Sequence, residues 1–112
     1  MAKKYEQTLE ELRYVSLSLQ QFKARLLEVE RTLQDLGKVD EDHVYKAIGR
    51  LFIKIKKEDV IDELQREKEL LDIKVKEFER KEKLLQERLK SLERQLKAKF
   101  TAGAGSSLAG AG

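Results

Sequence analysis

Any chemistry in this chain has few places to start. Its one histidine, His43, follows three carboxylates, Asp40, Glu41 and Asp42, in the stretch KVDEDH. A metal site needs three or four converging ligands. Adjacent residues of a short connector are close without converging, so His43 reads as a surface side chain. There is no cysteine, which excludes disulfides and thiolate ligands and removes thiol redox chemistry. No nucleophile stands at a spacing from which a neighbouring base can be argued, and the many carboxylates fall on helical faces instead of meeting in a pocket. No glycine loop of the phosphate-binding kind occurs. The expectation is a protein that is not an enzyme and holds neither metal nor cofactor.

What remains is charge and apolar spacing. Arg88, Lys90, Arg94, Lys97 and Lys99 make the end of the last periodic stretch basic; such a cluster docks on an acidic protein surface or contacts nucleic acid. The net charge of +3 comes from 24 basic residues against 21 acidic ones, interleaved along the chain, so nucleic acid is the weaker reading.

With 112 residues, 40% of them charged, the chain has too little apolar material for a compact core. Proline is absent and Leu, Glu, Lys, Arg and Gln abound, which favours long uninterrupted helices. No run approaches the roughly 18 apolar residues of a membrane span, and MAKKYEQTLEEL has no apolar signal core. The chain is therefore expected to be cytoplasmic, and dense Lys and Glu without cysteine also suits a thermophile.

From Tyr5, the positions Thr8, Leu12, Val15, Leu19, Phe22, Leu26, Val29, Leu33 and Leu36 follow in alternating steps of three and four, a heptad grid that predicts a helix over about 5–36. Gly37 stands where a left-handed cap commonly stops a helix. A second grid runs from Ile61 through Leu64, Lys68, Leu71, Val75, Phe78, Glu82, Leu85, Leu89, Leu92 and Leu96 to Lys99, predicting a helix over about 58–100. Lys68 and Glu82 interrupt it, either fixing register or snorkelling to water. Acids dominate from Lys57 to Asp72 and bases from Lys83 to Lys99, the order that suits the helix macrodipole. The last twelve residues, TAGAGSSLAGAG, lose all periodicity and read as a flexible tail or an appended segment foreign to the fold.

Between the grids lies VYKAIGRLFIKI, Val44 to Ile55, β-branched and aromatic with one glycine. It predicts a β-hairpin over about 44–56, with Gly49 and Arg50 at the centre of a type II′ turn and Gly49 supplying its positive φ. Ile48 then faces Leu51, Lys46 faces Ile53 and Val44 faces Ile55. Val44, Ile48, Leu51, Ile53 and Ile55 share one face, while Tyr45 and Phe52 lie on the other. A lone ribbon of this kind is marginal in water. It either joins ribbons of other copies or related chains in a sheet or barrel, or folds back on its own helices.

The hairpin returns the chain antiparallel. Counting back from the ribbon sets residue 5 within about one turn of residue 90 and lets Leu92, Leu96 and Phe100 overhang. With Tyr5, Leu9 and Leu12 these residues either complete the seam or offer an apolar surface to other chains.

The stretch VYKAIGRLFIKIKKEDVIDELQREKELLDIKVKEFERKEKLLQERLK, in which a Tyr-Lys-x-x-Gly ribbon runs into an apolar-Lys strand and a Leu-rich helix, resembles the prefoldins, specifically the archaeal β-type subunit. With the first helix the likeness covers about residues 5–100, and one hairpin instead of two separates this type from the α-type. The resemblance implies a mainly α fold, a long antiparallel two-helix coiled coil with a single β-hairpin, the hairpins joining into a double barrel in a hexamer of two α-type and four β-type subunits. It implies a chaperone that captures unfolded clients between coiled-coil tips without ATP and passes them to a group II chaperonin. Client contact would fall to Tyr5, Leu9, Leu12, Leu92, Leu96 and Phe100. Assembly would fall to the hairpin residues Val44, Tyr45, Ile48, Gly49, Leu51, Phe52, Ile53 and Ile55, and chaperonin docking to Arg88, Lys90, Arg94, Lys97 and Lys99. The Gly/Ala/Ser tail departs from the family pattern beside that docking end. The alternative is a coiled-coil scaffold or spacer that binds no client.

Overall fold

The computed structural model describes the backbone of residues 2–111 and the side chains of residues 2–101. Four elements follow one another: α1 (Ala2–Gly37), β1 (His43–Ile48), β2 (Leu51–Lys56) and α2 (Lys57–Ala111). The two grids become the two helices and the central stretch becomes an antiparallel hairpin. At the carboxy-terminal end the outcome differs from the expected stop near residue 100, because α2 continues through the Gly/Ala/Ser segment.

This length changes the electrostatic reading of α2. Glu58 and Asp59 occupy its first turn, where acids suit the positive end of the macrodipole, but its last turn holds no base. The basic block from Lys83 to Lys99 lies inside the helix and complements no terminus.

The chain divides into two compact units. The ribbon unit, Leu19–Lys76, holds the hairpin and the adjoining helical halves; the distal unit is built from residues 2–18 and 77–111. In the ribbon unit Leu19, Val29, Leu36, Leu71 and Val75 are buried, with Val29 only 1% exposed. Arg25 clamps Glu67 across the helices with two hydrogen bonds, Nε to Oε1 at 2.6 Å and Nη2 to Oε2 at 2.9 Å. In the distal unit Thr8, Val15, Leu85 and Leu92 are buried. Thr8, the polar member of the first grid, is accommodated because its hydroxyl donates back to the Lys4 carbonyl of its own helix at 2.7 Å.

Gly37 ends α1 as expected, yet by other means. Among the described residues Gly49 is the only glycine with positive φ, so no left-handed cap forms at Gly37. The carbonyls of Asp35 and Leu36 instead accept from the amides of Lys38 and Val39 at 3.1 and 3.2 Å, tight i to i+3 turns that satisfy the end of the helix. A Cβ at Gly37 would meet nothing within 4 Å. Gly49 has φ +57, where a side chain is strained. Gly37→Ala is therefore expected to raise stability by about 0.5–1 kcal/mol and Gly49→Ala to lower it by about 1–2 kcal/mol, measured by thermal unfolding followed by circular dichroism. The same sign for both substitutions would contradict this assignment of the two glycines.

Candidate functional site

The ribbon forms with the expected register: Val44 opposite Ile55, Lys46 opposite Ile53, Ile48 opposite Leu51. Positive φ at Gly49 and not at Arg50 fits a type II′ turn and excludes type I′, which would need it at both. Two contacts fix the ribbon's base. The Lys57 amide donates to the Asp42 carbonyl at 2.8 Å, and the Lys57 Nζ donates to the Val39 carbonyl at 2.6 Å. The sheet has two strands only, so each keeps one unpaired edge.

Within the ribbon, Val44 and Ile55 are half-buried, whereas Ile48, Leu51 and Ile53 are exposed, Leu51 at 66%. The opposite face exposes Tyr45 and Phe52. Lys46, the one interruption of the aliphatic face, reaches Glu63 of α2 at 3.5 Å. The aliphatic face is thus half-buried at its base and stays uncovered toward the turn.

In the distal unit, Tyr5 Oη donates to Glu93 Oε1 at 3.1 Å and Ser16 Oγ to Glu82 Oε2 at 2.7 Å. Eleven residues forward on α1 match eleven backward on α2, as an antiparallel pair requires. Glu82, which breaks the apolar grid, is therefore a cross-helix acceptor for Ser16; Lys68 is half-buried on its own grid position.

The pairing sets Tyr5 at Glu93, within about one turn of the counted position, and it changes the place of one expected tip residue. Leu92 does not overhang: it is buried at 9% exposure, beside Thr8. Tyr5, Leu9, Leu12 and Leu96 are half-buried on or beside the seam, while Phe100 is 77% exposed. Sequence reasoning missed Tyr14, Leu17 and Leu84, all large and exposed in this unit. The available signal was that they are apolar residues off the heptad grid, where the surrounding sequence is charged. Arg88, Lys90, Arg94, Lys97 and Lys99 are all exposed, and none is ion-paired among the described residues.

His43 is exposed at the start of β1, and among the described residues no group of three or more His, Cys, Asp or Glu side chains is placed to hold a metal ion. No described helix is long and apolar enough to cross a membrane.

A family model described as a prefoldin subunit matches residues 1–103. The chain belongs to the prefoldin subunit family. Its relatives include the prefoldin subunit beta of Archaeoglobus fulgidus, 42% identical over 72 residues that cover 63% of this chain and 62% of the relative. The prefoldin subunit beta of Pyrobaculum neutrophilum is 34% identical over 77 residues, covering 68% of this chain and 61% of the relative. The chain thus spans less than two thirds of these curated relatives. The crystal structure of the prefoldin beta subunit from Thermococcus strain KS-1 superposes with a TM-score of 0.74 at 30% identity, covering 88% of this chain and 87% of that one. The beta2 subunit of the same strain shares the fold, with a TM-score of 0.69 at 20% identity over 80% of this chain and 97% of that one. In this family frame the helix–hairpin–helix order and the β-type likeness both hold.

The Tyr5 to Glu93 bond makes the distal unit sensitive to alkali. Donation to the carboxylate holds the Tyr5 phenol above its ordinary value of 10.0, with the negative charge of Glu93 adding to the effect. A folded pKa above the unfolded one contributes stability that is complete below the unfolded value and is lost as pH climbs through the folded value. Tyr5→Phe should therefore flatten the fall of the thermal midpoint as pH rises above the ordinary phenol value of 10.0. Superimposable pH profiles for variant and wild type would mean that the bond is not made in solution.

Proposed function

We propose that this chain is the β-type subunit of an ATP-independent holdase. It assembles through its hairpin with α-type partners, two α-type and four β-type subunits per hexamer, captures unfolded proteins with its distal unit and delivers them to a group II chaperonin. The observation that carries the reading is the distal unit's apolar exposure. Tyr14, Leu17, Leu84 and Phe100 lie open on a unit whose seam is already complete without them, and non-native chains expose apolar segments of their own. Several such patches in one assembly bind by avidity and need no single tight site. The unpaired basic residues Arg88, Lys90, Arg94, Lys97 and Lys99 then suit docking on an acidic patch of the chaperonin. A scaffold that assembles without binding clients is the competing reading.

Assembly rests on the ribbon. Ile48, Leu51 and Ile53 are uncovered in a single chain, and joining ribbon edges into a barrel would bury them while pairing the free backbone groups. Ile53→Glu should release monomers, seen as a fall in solution mass with unchanged helical circular dichroism, because a charge in the shared interior finds no partner. An assembly that keeps its mass in this variant would remove the ribbon from the interface.

Holdase activity is tested by light scattering of a denatured test protein with the assembled wild type, and then with Phe100→Ser. The wild type should suppress aggregation near stoichiometric ratios and the variant should do so less well at equal mass. Assembly without any suppression by the wild type would leave the scaffold reading in its place.

A further inference from the structure

One flank of the distal unit carries two open grooves with a common wall. The first, about 370 Å³, is walled by Tyr14 and Val15 of α1 and by Leu84 and Leu85 of α2, with Lys81 at its rim. The second, about 580 Å³, is mostly polar and includes Lys4, Gln7, Ser91 and Gln95. Glu11 and Arg88 line both. From Lys81 to Gln95 the flank measures about 21 Å along the helix, the span of about six residues of extended chain.

The floor and the walls of the apolar groove play different parts. Val15 and Leu85 are buried in the seam, whereas Tyr14 and Leu84 are 69% and 61% exposed and contribute to no seam. The charge along the flank is predominantly positive: Lys4, Lys81 and Arg88 against Glu11. Lys81 is engaged by Glu77 at 3.5 Å and lies over the Phe78 ring, while Lys4 and Arg88 have no ion pair among the described residues. Unengaged cations beside an apolar slot complement a carboxylate. The amides of Gln7 and Gln95 and the Ser91 hydroxyl offer donors and acceptors to the backbone of an extended chain, which has no internal partners for them.

We propose that this flank, running from the first turns of α1 back along the pair to Tyr14 and Leu84, is a side-on contact site for client chains. It takes an extended non-native segment that lays a large apolar side chain between Tyr14 and Leu84 and points an acidic side chain at Arg88 and Lys4. The site selects apolar segments that carry an acid over those that carry a base. The inference rests on the holdase reading and adds a location and a sequence preference to it.

The test uses the full chain in its solution assembly and two labelled peptides, one combining Leu, Phe and Asp, the other with Lys in place of Asp, read by fluorescence anisotropy. The Asp peptide should bind the wild type more tightly. Tyr14→Ser with Leu84→Ser should weaken it about tenfold, and Arg88→Glu should reverse the preference between the peptides. Both substituted side chains are exposed, so the thermal midpoint should hold. Unchanged binding in the double variant, with aggregation suppression intact in the wild type, overturns the flank site alone. A double variant that changes the mass of the assembly overturns it too, since the flank would then be a contact between copies. A wild type that neither binds peptide nor suppresses aggregation overturns the holdase reading itself.

Discussion

The structure depends on a single constraint: each helix can bury only the stripe that faces its partner. With 40% of the residues charged, nothing else in the chain can form an interior. The buried positions, Thr8, Val15, Leu19, Val29 and Leu36 on α1 and Leu71, Val75, Leu85 and Leu92 on α2, are all grid residues. Apolar side chains off that stripe stay at the surface, and these fall at the hairpin and along the outer faces of the helices. Contiguous exposed apolar groups mark contact surfaces, so the architecture itself separates what holds the chain together from what it presents to others.

Polar groups refine the seam without supplying much stability. The two-pronged contact of Arg25 with Glu67 sits at the surface, with both side chains over a third exposed, and pairs of that kind contribute at most about 1 kcal/mol. Their value is in register. Arg25 to Glu67 in the ribbon unit, and Ser16 to Glu82 and Tyr5 to Glu93 in the distal unit, each tie one position of α1 to one of α2. An apolar seam alone tolerates a slip by a heptad; a directed hydrogen bond to one carboxylate does not. A slip would also carry Tyr14 away from Leu84 and dismantle the groove that both residues wall.

The hairpin illustrates how far a local sequence can prescribe its own geometry. Gly49 allows the turn and the alternation of aliphatic with polar residues fixes which side chains share a face, so the register follows from a dozen residues. No helix is needed for that, only for anchorage: Lys57 begins α2 immediately after β2 and hydrogen-bonds back to Asp42 and Val39, joining ribbon and helix without a free linker.

The sequence by itself determined both helices, the hairpin with its register and turn, and the seam, because each depends on spacing within one element. Tertiary structure decided what depends on the offset between elements. Leu92 lies in the seam and not beyond it because Tyr5 meets Glu93, an offset that a count along one helix sets only to within about one turn. The end of α1 is closed by tight turns instead of a left-handed glycine, a choice among nearly equal local solutions. Tyr14 and Leu84 are 70 positions apart in the chain and become one groove only through the pairing of α1 with α2. Periodicity names the residues a helix buries; only the register between helices shows which exposed ones stand together.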